Sequence, residues 1–184
     1  MRLLPDIDSA LRDFIAAQHL FFVGSAPLAA DGHVNLSPKG LGTLRVLGPH
    51  SVAYLDYPGS GAETIAHLRE NGRIVLMFCA FDGPPRIVRL HGQGTVVEPQ
   101  DAAFAALRAH FGDGPGGRAI IRIEVARVSD SCGHGVPLMA FEAERSQLPA
   151  WMDHKGEDGL REYQAQKNRA SVDGLPTLRW LDTP

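Results

Sequence analysis

From Ile74 to Phe81 the chain reads I-V-L-M-F-C-A-F, eight apolar residues without a break. A strand with one wet face alternates polar and apolar residues, so an unbroken run must be covered on both sides. The run lies between the helix stop Asn71-Gly72 and the turn Asp82-Gly83-Pro84-Pro85. In a barrel, one face of this strand would fill the interior and the other would meet a helix or a second subunit.

Several of those segments carry strand patterns joined by short turns. His19–Ala26 and His33–Lys39 flank Asp31-Gly32, a pair that supplies the positive φ of a tight hairpin, and Pro38 marks a strand end or edge. Leu44–Leu47 and Ser51–Tyr57 flank Gly48-Pro49-His50, and Ser51–Tyr57 has apolar side chains on both faces but a carboxylate, Asp56, near its end. Arg86–Val97 follows the all-apolar run. Its face with Gly92 and Gly94 predicts a bend or a close approach by another backbone. Ala119–Val125 alternates clearly, Ser129–Gly135 reads as a polar loop, and Val136–Ala143 as a last strand. Helical spacing predicts helices over residues 6–18 and 60–71 and from Pro99 onward, with Ser60 and Glu63 at the spacing of a capping box. The glycine-rich Gly112–Gly117 ends the third. Strands joined by short turns pair antiparallel. The expected fold is mainly β, an antiparallel barrel with peripheral helices.

Composition narrows the function classes. A chain of 184 residues is one domain of ordinary size. A chain this long can bury about two thirds or more of its unfolded surface, so it needs no disulfides or structural metal to fold. A net charge of −3 with no basic run argues against a nucleic-acid partner. No apolar run reaches the roughly 18 residues of a membrane span, and the first residues lack a signal-peptide layout. Cys79 and Cys132 form no disulfide framework, so the expected compartment is the cytoplasm. The barrel is expected over 1–145. Residues 146–184, anchored by Trp151, Leu160 and Tyr163, are expected to form a helical extension packed on the barrel or on a dimer interface.

The candidate chemistry centres on residues 37–64. Lys39 closes a strand, and Ser60 and Gly61 open a helix, where free N–H groups and the macrodipole attract an anion. From these residues alone Ser60 is either such a site or an ordinary cap, and Glu63 places negative charge beside it. Arg86 and Arg89, three apart on a strand, face opposite ways, so at most one serves a given pocket. Cys132 and His134, with His33 and His50 elsewhere, match no zinc spacing, and no Walker, G-x-S-x-G or dinucleotide motif is present.

Three pieces in order resemble the pyridoxamine 5′-phosphate oxidase-like superfamily of flavin-binding split barrels. They are S-P-K-G (Ser37–Gly40), A-Y-L-D-Y-P-G-S-G-A-E-T (Ala53–Thr64) and R-I-V-R-L-H-G-Q-G (Arg86–Gly94). The resemblance implies an antiparallel split β-barrel that dimerises with FMN at the subunit interface. It implies an oxidoreductase moving electrons between NAD(P)H and a small organic acceptor or oxygen. The alternative is a non-enzymatic carrier of flavin, deazaflavin F420 or haem on the same barrel. The implied cofactor set is Ser37, Lys39, Gly40, Tyr54, Leu55, Asp56, Ser60, Gly61, Thr64 and Arg89, with no catalytic residue and no metal ligand nominated. Gly61 and Ala62 stand where pyridoxamine phosphate oxidases proper carry Arg-Lys, and Val34 or Asn35 stands where they carry an earlier arginine. A divergent branch is therefore expected, not the vitamin B6 enzyme.

Overall fold

The computed structural model describes residues 1–112 and 116–181. The middle of the Gly112–Gly117 stretch and the last three residues of the 146–184 segment lie outside the described residues.

The strands are β1 (Arg2–Leu4), β2 (Phe21–Ser25), β3 (Asn35–Lys39), β4 (Leu44–Gly48), β5 (Ser51–Asp56), β6 (Arg73–Cys79), β7 (Ile87–Val97) and β8 (Ala119–Ser131). The helices are α1 (Ser9–Ala16), α2 (Glu63–Asn71), α3 (Phe104–Arg108) and α4 (Gln147–Lys167). All the strands join one antiparallel sheet in the order β3-β2-β6-β7-β8-β5-β4, with β1 on the far end of β8. The sheet curls, and its edges β3 and β4 do not pair with each other. This is a split barrel, as expected.

The unbroken apolar run becomes β6, the strand between β2 and β7. Ile74, Leu76 and Phe78 point into the barrel beside Phe21, Val23, Val88, Leu90, Ile121 and Ile123. Each such fully buried side chain contributes about 1.5–3 kcal/mol. Val75 and Met77, on the other face, are only half-buried. Gly92 sits at the register shift between β7 and β8, where a Cβ would come within 2.1 Å of the Glu124 carbonyl oxygen. The glycine face of this strand therefore marks a close backbone approach, as its sequence implied.

Helix α1 starts at Asp8, whose carboxylate accepts from Leu11 N at 2.7 Å, and buries Leu11 and Ile15 against the barrel. Helix α2 ends at Gly72 in the left-handed conformation (φ 72°) and sets Ile65 and Leu68 into the same core. Helix α4 bends at Gly156 (φ 62°), and beyond it Leu178 and Leu181 join the main core.

Several expectations fail for physical reasons. Residues 26–34 form a loop rather than a tight hairpin. Gly32 has no positive φ there; its missing Cβ instead leaves room for Pro27, which it would meet at 2.3 Å. Strand β8 runs on through Ser131, because β1 and β7 supply partners on both sides of Ser129 and Asp130. Val136–Ala143 forms no strand; Val136 N bonds the Gly133 carbonyl and Met139 N the Phe81 carbonyl (both 2.8 Å), and Phe141 stacks on His19. The third helix begins at Phe104, not near Pro99, because Asp101 and Glu98 first close a turn.

Candidate functional site

Lys39 ends an edge strand and Asp56 ends the strand next to the opposite edge, so a bond between them spans one end of the barrel. Asp56 is 1% exposed. Its Oδ1 accepts from Lys39 Nζ at 2.7 Å, and its Oδ2 accepts from Arg118 Nε at 2.8 Å. Burial by itself pushes this carboxyl up. The charges and hydrogen bonds of Arg118 and Lys39 outweigh burial and hold it at about 2. Two cations share one buried carboxylate, leaving the cluster net positive, and the Lys39 side chain is 22% exposed. The cluster is fixed from behind. Arg118 Nη1 donates to Asn168 Oδ1 at 2.9 Å, and the fully buried Asn168 donates to the Gly59 carbonyl at 2.9 Å.

A second chain of polar contacts starts on the same strand. Ser37 Oγ donates to Asn35 Oδ1 at 2.8 Å, and Asn35 Nδ2 donates to Thr64 Oγ1 at 2.9 Å and Ser25 Oγ at 3.2 Å. Ser25 Oγ in turn lies 3.0 Å from Nδ1 of the fully buried His67. Burial pushes that imidazole down, which favours its neutral form, against the pull of Asp173, Glu63 and Glu70. The row Asn35, Ser37, Lys39 thus runs along β3 from the first turn of α2 to Asp56. Tyr54 lies beneath it, with Lys39 Nζ 5.9 Å from the ring centre. Burial pushes its phenol well above the ordinary range.

The expected capping box does not form. Ala62 is the N-cap of α2, and no side chain caps the helix. Ser60 is exposed in the loop before it. Glu63 is drawn elsewhere, its Oε1 accepting from Val172 N at 3.3 Å, while Asn168 holds the loop at the Gly59 carbonyl, one residue before Ser60. The Glu63 carboxylate also fills the space beside Gly61, where a Cβ would come within 2.3 Å of Oε2.

Ser37, Lys39, Tyr54, Asp56 and Thr64 are therefore brought together, with Ser60 and Gly61 in the adjoining loop. Three other members of the expected set are placed apart. Leu55 faces the opposite side of β5 and packs with Ala53, Val97 and Ile120. Arg89 faces away from the core-pointing Val88 and Leu90 and donates to Ser131 Oγ at 3.3 Å. Gly40 packs beneath the His19 carbonyl, which a Cβ would meet at 3.0 Å. Arg118, Asn35, His67 and Asn168 were missed. Arg118 had one weak signal, a cation set between glycines and the first residue of an apolar strand. No group of three or more His, Cys, Asp and Glu among the described residues is placed to hold a metal ion. No helix among them is long and apolar enough to cross a membrane.

The family model described as pyridoxamine 5′-phosphate oxidase matches residues 7–132. The pyridoxamine 5′-phosphate oxidase family protein ustO of Aspergillus flavus is 44% identical over 185 residues, covering 91% of this chain and 74% of that protein. Among solved structures, HupZ of Group A Streptococcus aligns with a TM-score of 0.55 at 22% identity, over 67% of this chain and 93% of HupZ. That last likeness is one of fold.

Proposed function

The chain belongs to the pyridoxamine 5′-phosphate oxidase family, and from that premise we propose that it binds FMN and works as a flavin-dependent oxidoreductase. It would pass electrons between NAD(P)H and a small organic acceptor or oxygen. The observation that carries this reading is the first turn of α2. No side chain caps it, and β3 lies against it through the Asn35–Thr64 bond. Open N–H groups at the positive end of a helix suit a phosphate.

The residues present fit the group. Ser60 and Gly61 lead into that turn, and Lys39 supplies a charge further along the same row. Asp56 orients the Lys39 ammonium without neutralising the cluster, because Arg118 shares the carboxylate. One opposing group is Glu63, whose carboxylate stands beside Gly61. FMN, when bound, supplies the redox chemistry. The chain's own work is to hold the phosphate, orient the ring and keep water from the barrel end.

The proposed unit is a cytoplasmic homodimer with the cofactor at the subunit interface. Supporting it, edge strand β3 exposes Leu36 (66%), and Val34 just before it is 76% exposed. An exposed apolar edge invites pairing or burial against another copy.

The test is an absorbance spectrum of the purified protein. It should show a flavin band, and denaturation should release FMN. A colourless protein that fails to take up added FMN would refute the proposal.

A further inference from the structure

A cleft of about 830 Å³ opens between the second half of α4 and the strand ends, with Arg118 in its wall. We propose that it is a binding site for a small planar carboxylate. This goes beyond the flavin reading and does not depend on it.

Two nearly buried polar groups line the cleft with donors left over. Gln164 is 8% exposed, yet its side-chain amide makes no hydrogen bond to a described residue. Arg118 is 6% exposed and spends Nε on Asp56 and Nη1 on Asn168 and Gly59, which leaves Nη2 without a described partner. Neither set of donors is sealed from solvent, so both face water in the cleft that a ligand can displace. A guanidinium beside an amide offers N–H groups suited to a carboxylate.

The rim supplies a second cation. Arg161 forms no ion pair among the described residues, and its guanidinium lies 4.9 Å from the ring centre of Trp180, which holds it over the opening. Arg179 also lines the cleft, but its charge is met by Glu98 and Asp101. Glu157, on the first turn after the bend in α4, is the one carboxylate among the described lining residues. Pro58, Leu160 and Trp180 provide flat apolar walls. Charge therefore selects an acid, and shape selects a planar body.

Calorimetric titration of the 184-residue chain tests this, with benzoate as the probe and benzyl alcohol as its neutral counterpart. Benzoate should bind saturably and benzyl alcohol at least tenfold more weakly. Arg161→Gln should weaken benzoate about tenfold, the loss of one charge-assisted contact. Gln164→Glu, close in shape to the native side chain and open to the cleft, should keep the fold and repel benzoate at least as strongly. Absence of saturable binding, equal binding of the alcohol, or unchanged benzoate affinity in both variants would overturn the site. FMN content is read separately from the same samples, so failure here leaves the flavin proposal standing, and the reverse also holds.

Discussion

At the residue scale, the decisive feature is a carboxylate buried between two cations. Removing one partner of a buried pair leaves an uncompensated charge and costs about 3–5 kcal/mol. Arg118→Leu should therefore lower the urea unfolding free energy by that order, since Lys39 alone remains to balance Asp56. The pH dependence follows from the depressed carboxyl. Asp56 sits at about 2 in the fold against an ordinary 3.8. Its stabilisation is thus fully present above about pH 4 and is lost as pH falls through 2, about 2 kcal/mol in all. In Asp56→Asn this part of the acid slope should vanish while the rest persists. An unchanged slope would mean that Asp56 is not charged in the fold. Lys39→Ala should spare the fold, because Arg118 still pairs with Asp56, but weaken FMN about tenfold or more by removing a charged contact. Unchanged flavin affinity, measured by quenching of FMN fluorescence, would remove Lys39 from the site.

At the scale of elements, α2 is where local sequence and tertiary context disagree. Ser60 and Glu63 have capping-box spacing, yet the helix starts uncapped at Ala62: Val172, over a hundred residues away, holds Glu63, and Asn168 fixes the loop at the Gly59 carbonyl. The same kind of distance hid Arg118, whose partner Asp56 lies on another strand, and the last part of β8, which pairs with β1 as well as β7. What was legible was local: the unbroken run of β6, the alternation of β8, the left-handed Gly72 and the close approach at Gly92. Lys39, Tyr54 and Asp56 could be nominated together from family motifs. Their actual contact needed the curl of the sheet. Glu63 gives the element its own test. A carboxylate at a helix N-terminus is worth about 0.3–1 kcal/mol, and it competes there with any other anion. Glu63→Gln should tighten FMN two- to fivefold, within that range. An equal or weaker affinity would place the phosphate away from α2.

At the scale of the whole molecule, one end of the barrel is closed and one edge is not. Lys39, Asp56, Arg118 and Asn168 tie β3, β5, β8 and the end of α4 together, while Leu178 and Leu181 bring the C-terminal segment into the main core. That leaves the outward faces of β3 and β6 with half-buried or exposed apolar residues, Leu36, Val75 and Met77 among them. Water against such a surface is costly at about 25 cal/mol per Å², and a second copy is the occupant we propose. If FMN lies where two copies meet, dimerisation and cofactor retention are one event, not two. Leu36→Lys puts a charge on the exposed edge without touching the core. By sedimentation, the wild type should run as a dimer and the variant as a monomer, and the variant should lose its flavin band in step. A variant that stays dimeric would place the interface elsewhere. A monomer that keeps full flavin would show that a single chain builds the whole cofactor site.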